Sequence, residues 1–346
     1  MRVRPDVIER IATTLAFREP DRVPIWESLQ SAALYEHFAP GVPFPECAAV
    51  ACERLGIDAT YGCMEPAREG VRAGNAVHAA LTVWRTEPRF RSLEELERYR
   101  PEPIDATEIE ERLLAEHERR QALYAPNVLY LPQNGGFGFL PGYDTETFTV
   151  VATALAQDIT LMERLWEHAV ERAVVRNGVT ARHRLAPVVQ CCEDVAFKTG
   201  LMVSPDLLRR HFFPRLRQVI APLKEAGIKV IWHSDGNVTE LLDDALACGV
   251  DGINPVDVSS GMDIADIKRR YEGRLILVGN VGADHVLSRG TAEAVREDVR
   301  RSIREASPGG GHLLQSSDGQ LMPDCPVENV IAYCDEARRA GRYPIR

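Results

Sequence analysis

The sequence predicts an α/β protein with the architecture of a (β/α)8 TIM-type barrel. Eight short apolar runs, each bounded by turn residues, alternate with longer stretches of helical period. Right-handed crossovers between eight such repeats leave few topologies besides a barrel. A doubly wound open sheet is the alternative that the same alternation allows.

The eight predicted strands follow one another along the whole chain. They are 22–26 (RVPIW), 57–62 (IDATYG), 128–132 (VLYLP), 186–191 (APVVQC), 229–233 (KVIWH), 252–254 (GIN), 274–279 (RLILVG) and 312–316 (HLLQS). Amphipathic helices are predicted between most of them, for example over 204–226 and 238–248. The second of these ends in ACGVDG, a helix stop followed directly by the next strand.

Residues 64–126 do not fit one barrel repeat. They contain an extra extended pair (HAALTVWRTE) and two charged helices (RSLEELERYRPEPIDATEIEERLLAEHERR). We therefore predict a single domain over residues 1–346, with an insertion or lid at 64–126.

Composition narrows the class of protein. Hydrophobic residues make up 45% and charged residues 27% of the 346 residues, as in compact globular proteins. The net charge of -10 and the lack of a basic cluster argue against nucleic-acid binding. No stretch of 18 apolar residues predicts a membrane span, and the eight cysteines are expected to be thiols of a cytoplasmic protein.

In a barrel of this kind the active site lies at the carboxyl ends of the strands. Polar residues follow each predicted strand: Glu27, Cys63, Gln133, Asn134, Glu193, Asp194, His233, Asp235, Asp257, Asn280 and Asp318. Residues two apart in an extended segment point to the same side, which pairs His233 with Asp235, Cys191 with Glu193 and Ser316 with Asp318. We predict catalytic roles for Glu27, Glu193, Asp235, Asn280 and Asp318.

The stretch VIWHSDGN places two metal-capable side chains where a buried strand ends. We predict His233 and Asp235 as metal ligands, with zinc as the metal and Cys325 as the third ligand. Cys191 is the other available thiol. In the simpler alternative, His233 and Asp235 bond to each other and cap the next helix, and the thiols are small buried side chains.

Several longer motifs resemble the uroporphyrinogen decarboxylase superfamily across most of the chain. They are REPDRVPIW, EDVAFKTGLMVSPDLLRRHFFPRL, HSDGNVTELLDDALACGVDGINPVD, GRLILVGNVGADHVLSRGTAEAV and SSDGQLMPDCPVENVIAYCDEARRAGRYPI. The resemblance implies a distorted (β/α)8 barrel with its site at the strand ends. It also implies one of two activities: cofactor-free decarboxylation of a porphyrinogen, or methyl transfer between a corrinoid protein and an acceptor on zinc held by a His-x-Cys pair and a later cysteine.

The sequence departs from both patterns. No Lys or Arg occurs between Arg22 and Arg54, where the decarboxylases carry an arginine-rich segment, so an octacarboxylate would lack its partners. Asp235 stands in place of the first cysteine of the methyltransferases. Their second cysteine aligns near Asp318 or Gly319 instead of Cys325.

We therefore expect a URO-D superfamily enzyme nearer to the corrinoid-linked methyltransferases. Zinc is the expected metal, and the expected partners are a small-molecule substrate and a corrinoid protein, with neither nucleic acid nor membrane. A homodimer is compatible with the sequence. The alternatives are a cofactor-free lyase of the decarboxylase type and a non-catalytic barrel that binds a tetrapyrrole or corrinoid.

Overall fold

The computed structural model describes residues 3–66, 88–133, 135–142 and 145–345, together with the backbone of residues 72–73, 76–79 and 82–85. Asn134, one of the polar residues predicted at the strand ends, lies outside the described residues. No helix within these ranges combines the length and apolar character that a bilayer span requires.

Helices and strands alternate along the described chain. The helices are α1 (Pro5–Leu15), α2 (Ala32–Phe38), α3 (Glu46–Leu55), α4 (Leu93–Arg98), α5 (Ala106–Tyr124), α6 (Thr145–Gln157), α7 (Ile159–His183), α8 (Pro205–Leu207), α9 (Phe213–Glu225), α10 (Leu242–Cys248), α11 (Ile264–Tyr271), α12 (Ala292–Ala306) and α13 (Val327–Ala340). The strands are β1 (Ala59–Thr60), β2 (Arg72–Ala73), β3 (Ala76–Ala79), β4 (Thr82–Arg85), β5 (Leu129–Tyr130), β6 (Val188–Cys192), β7 (Ala196–Phe197), β8 (Gly200–Leu201), β9 (Lys229–His233), β10 (Gly252–Asn254), β11 (Ile276–Val281) and β12 (His312–Ser316). Short π-helical turns span Leu208–Phe212 and Ala283–Ser288, and 3-10 turns span Thr239–Leu241 and Val258–Ser260.

The predicted α/β class and parallel sheet are confirmed. Strands β12, β11, β10, β9 and β6 form a parallel sheet in that order. The segment predicted as the first strand forms isolated parallel bridges, from Ile25 to Leu314 and from Trp26 to Ala59. Strand β1 pairs with β5, and the Gln190 amide donates to the Pro132 carbonyl at 3.0 Å. These contacts join all eight predicted segments in the order expected for the barrel.

Apolar side chains fill the space between the strands. Trp26, Ile231, Val278 and Leu313 belong to one buried cluster that also includes residues of helix α1. Helix α1 lies at the amino ends of the strands, since the Gly311 amide, just before β12, donates to a carbonyl of this helix at 3.1 Å. One end of the sheet is thus covered, which leaves the carboxyl ends for a site.

Helices α4 and α5 of the 64–126 segment pack against helix α7. Arg164 donates to the Leu96 and Glu97 carbonyls at 3.0 and 2.9 Å. Arg182 and His183 both contact Glu110 at 2.6 Å. Strands β2, β3 and β4 form a separate antiparallel sheet in the same segment.

Candidate functional site

The site is built where strand β9 ends in a tight turn. Gly236 has a φ of +80°, and a Cβ at this position would lie 2.5 Å from the Phe197 carbonyl oxygen. Only glycine fits there without strain. The Ser234 hydroxyl accepts from the Val195 amide at 3.1 Å and donates to the Asp235 carbonyl at 3.0 Å. The turn therefore brings Asp235 back toward the end of its own strand.

Three metal-capable side chains meet at this turn. The His233 Nε2 atom lies 3.7 Å from an Asp194 oxygen and 3.9 Å from an Asp235 oxygen. One ligand atom from each of the three lies within 4.8 Å of the others. The His233 and Asp194 side chains are 13% and 22% exposed, so the cluster is partly shielded from water. We call Asp194, His233 and Asp235 the triad.

A chain of buried amides orients the imidazole. The His233 Nδ1 atom lies 2.6 Å from Asn254 Oδ1, which also accepts from Gln190 Nε2 at 2.8 Å. The Asn254 amide group donates in turn to Gln315 Oε1. Because the Asn254 nitrogen is used in that bond, its oxygen accepts and His233 Nδ1 donates to it. The Nε2 atom then faces the carboxylates, the arrangement found in histidines that ligate metals.

Negative charge surrounds the imidazole. Partial burial raises the pKa of Asp235 to about 6; His233 opposes this shift, while Asp194 and Asp318 add to it. Burial also raises the pKa of Asp318, helped by the charge of Asp257. Carboxylates that raise one another's pKa values repel when ionised, so a cation among them relieves the repulsion.

The predicted residue Asp318 lies beside the triad. A Cβ on the adjacent Gly319 would be 3.6 Å from His233 Cε1, so this segment crosses next to the imidazole. The Tyr61 hydroxyl fixes the segment by donating to the Gly319 carbonyl at 2.7 Å. The structure thus brings together His233, Asp235 and Asp318 from the predicted set, with Asp194 from the wider list of strand-end residues.

Glu193 has another set of partners. Its carboxylate accepts from the backbone amides of Phe137, Gly138 and Phe139 at 2.5, 2.8 and 2.8 Å. Burial raises the pKa of this carboxyl to about 7, although the three amides oppose the shift. The predicted catalytic glutamate therefore holds the 137–139 loop in place.

Glu27 is not at the mouth where the sequence placed it. Its side chain is fully buried, and its carboxylate accepts from the Ser316 amide at 2.5 Å and from the Tyr333 hydroxyl at 2.8 Å. The physical reason is strand alternation. Because the Trp26 side chain belongs to the buried cluster between the strands, the next residue, Glu27, points to the opposite side, toward Tyr333 of helix α13. Burial raises the pKa of Glu27 to about 8.

Asn280 and Cys325 also lie elsewhere. The Asn280 side-chain oxygen accepts a hydrogen bond from Arg301 of helix α12 at 3.2 Å. Gly279, at a φ of +148°, interrupts the alternation of inward and outward side chains along β11, so Asn280 faces this helix instead of the strand-end site. Cys325 is 3% exposed and its sulfur lies 3.5 Å from the Ser288 hydroxyl, within an apolar cluster. Among the described residues, the triad is the metal-capable group, and it does not include Cys325.

Cys192 is a neighbour of the triad that the sequence reasoning missed. It pairs in register with His233, whereas the predicted thiol Cys191 belongs to a second buried apolar cluster, together with Phe212 and Trp232. Burial raises the pKa of Cys192, and the nearby charge of Asp194 adds to this. Strand alternation could have shown which of the two cysteines faces the site. Cys192 lies two residues after the inward-facing Gln190 and therefore lies on the same face of the strand, whereas Cys191 lies on the other.

The part of the chain that contains the triad matches the model of a known protein family. The model of uroporphyrinogen decarboxylase (URO-D) matches residues 142–340, more than half of the chain. The chain belongs to the URO-D family. The matched residues include the whole triad, so the site lies within the URO-D part of the chain.

Two individual proteins resemble the chain. Uroporphyrinogen decarboxylase from Thioalkalivibrio sulfidiphilus (strain HL-EbGR7) is 30% identical over 90 residues, which cover 26% of this chain and only 25% of that enzyme. A methyltransferase from Methanosarcina mazei has a similar structure, with a TM-score of 0.70, 18% sequence identity and coverage of 96% of this chain and 98% of that one. At this identity the likeness establishes the shared fold.

Proposed function

We propose that the protein is a metal-dependent methyltransferase that moves a methyl group between a corrinoid, carried by a partner protein, and a small acceptor. The observation that carries the proposal is the His233 Nε2 atom facing the carboxylates of Asp194 and Asp235 at 3.7 and 3.9 Å. The resemblance in fold to a methyltransferase of Methanosarcina mazei supports the choice of reaction.

The triad fits a zinc ion with an open coordination position. Zinc bonds of about 2.0–2.1 Å in a tetrahedron separate two ligand atoms by about 3.4 Å. The separations of 3.7 and 3.9 Å between His233 Nε2 and the two carboxylates need only small side-chain adjustments to reach that value. One imidazole and two carboxylates form a harder donor set than thiolates, and their two negative charges balance a divalent cation.

Each residue then has a stated task. Asp194, His233 and Asp235 would hold the zinc, whose chemistry is to polarise the bound acceptor and lower its pKa. Asn254 keeps the Nε2 atom of His233 directed at the carboxylates. Asp318, whose raised pKa favours proton uptake, would accept the proton that the acceptor loses as its bond to the methyl carbon forms. The bond between cobalt and the methyl carbon breaks in the same step, and its electron pair stays with the cobalt of the departing corrinoid.

A carboxy-lyase is the second candidate, favoured by the 30% identity to uroporphyrinogen decarboxylase over 90 residues. In that case Asp235 or Asp318 would stabilise a protonated intermediate without a metal. The segment between Arg22 and Arg54, where the decarboxylases carry their arginines, has no Lys or Arg. This departure from the decarboxylase pattern, together with the metal-capable triad, favours methyl transfer over the lyase reaction.

Methyl transfer tests the proposal directly. Zinc-loaded protein is mixed with methylcobalamin and 2-mercaptoethanol, and demethylation is followed by absorbance. We expect turnover by the wild type and by the surface control His37→Ala, and a loss of more than about tenfold for His233→Ala. Decarboxylation of uroporphyrinogen without methyl transfer would favour the lyase, and cobalamin binding without any turnover would favour a carrier.

A further inference from the structure

Two cavities that share part of their lining contain several arginines, and no residue of the triad lines either of them. Their volumes are about 480 and 390 Å³, and Gln133, Arg172 and Arg176 line both. Arg89 contributes to the first cavity and Arg112 to the second. The positive charges come from separate segments of the chain, since Arg172 and Arg176 are on helix α7 and Arg112 is on helix α5.

These arginines lack enough negative partners. Among the described residues, Arg112, Arg172 and Arg176 form no ion pair within 4.0 Å. The Arg176 Nε atom is buried without a hydrogen-bond partner, while its Nη2 donates to the Gly136 carbonyl. Burial lowers the pKa of Arg176, Glu193 opposes this, and Arg172 adds to it. A guanidinium left in this state is stabilised by an anion that supplies the missing acceptor.

Cys192 links the first cavity to the triad. It lines this cavity and is paired in register with His233 on the neighbouring strand, so the two backbones lie about 4.7–4.9 Å apart. The charges of Asp194 and Asp235 also act on the Cys192 thiol. A ligand that extends from the arginines past Cys192 would therefore reach the triad.

The lining is also partly apolar. Tyr99, Phe137 and Leu165 line the first cavity together with the arginines. Its volume of about 480 Å³ lies in the range of small-molecule sites. A ligand suited to it combines an anionic group with an apolar body.

We propose that Arg172 and Arg176, assisted by Arg89 and Arg112, bind the carboxylate or phosphate of a small organic anion whose other end reaches the triad. The proposal rests on the proposed function for the reaction, but the binding itself depends only on the cavities. Arg112 belongs to the 64–126 segment, so in this proposal helix α5 of that segment contributes to the substrate site.

Calorimetric titration of the zinc-loaded protein tests the anion site. The probes are benzoate, phenyl phosphate, inorganic phosphate and the neutral benzamide. We expect benzoate or phenyl phosphate to bind at least about tenfold more tightly than benzamide and inorganic phosphate. Arg172→Gln and Arg176→Gln should each weaken that binding about tenfold, while the exposed helix residue Arg304, changed to Gln, should leave it unaltered.

Equal affinity for benzoate, phenyl phosphate and benzamide, or no binding at millimolar concentrations, would overturn the anion site. So would arginine variants that bind like the wild type. Melting temperatures monitor folding, and the exposed Arg172 gives an answer even if Arg176→Gln unfolds. If the protein binds zinc but none of the anions, only the anion site is rejected. If it binds the anions but takes up no zinc, only the proposed metal-dependent function is rejected.

Discussion

Glu27 provides a stability test of the fold around the site. Its carboxyl has a folded-state pKa of about 8 against an ordinary value of 4.5, mainly because it is fully buried. The folded protein therefore holds a proton that the unfolded chain releases between these two values. The contribution of Glu27 to stability is fully present below pH 4.5 and is lost as the pH rises toward 8. The loss is about 1.4 kcal/mol per pH unit midway between the two pKa values and smaller near each of them, which gives about 3.5 kcal/mol between pH 5 and pH 8.

Glu27→Gln removes this ionisation while keeping an oxygen that accepts from Ser316 and Tyr333. Urea unfolding of the variant and the wild type is measured at pH 5 and pH 8. We expect the variant to gain about 3.5 kcal/mol relative to the wild type between these two conditions. The exposed Glu297→Gln serves as the control and should track the wild type. Parallel pH dependences for Glu27→Gln and the wild type would refute the buried, protonated carboxyl.

Three further outcomes follow from the geometry. Asn254→Ala should free the imidazole of His233 and weaken zinc binding by roughly 10–100-fold, as measured by competition with a chromophoric chelator; unchanged affinity would contradict the orienting role. Glu193→Gln leaves one oxygen for three amides, so the unfolding free energy should fall by about 1–3 kcal/mol and the 137–139 amides should exchange faster with deuterium; wild-type exchange would argue against this role. Gly236→Ala places a Cβ against the Phe197 carbonyl and should destabilise the protein by about 1–3 kcal/mol in thermal melts; a melt like that of the wild type would show that the turn relaxes.

The fold could be predicted because it depends on a repeated pattern. Apolar runs such as 229–233 and 312–316 became strands with the predicted bounds, and the helix stop at Gly249 has the left-handed conformation that glycine favours. The first strand was less regular: residues 22–26 form only isolated bridges, although they occupy the expected place between β12 and β1. A local sequence pattern therefore predicts the order of the strands and helices better than it predicts how the strands pair.

The site was harder to predict, because position after a strand does not fix the direction of a side chain. His233 and Asp235 converge as alternation implied, but Glu27 turns outward because Trp26 occupies the interior. Cys325 follows an irregular loop, and no periodicity indicates where it points. The arginine cavities join segments far apart in the sequence, which no local motif records.

Metal content is the most direct measurement of the central claim, that the triad binds a divalent cation. Protein purified without chelator is analysed by inductively coupled plasma mass spectrometry alongside His233→Ala, Asp235→Ala and the control His37→Ala. We expect about one zinc per chain in the wild type and the control, and a marked loss in both triad variants. A wild type without stoichiometric metal, or a His233→Ala variant that retains all of it, would contradict a metal site at the triad.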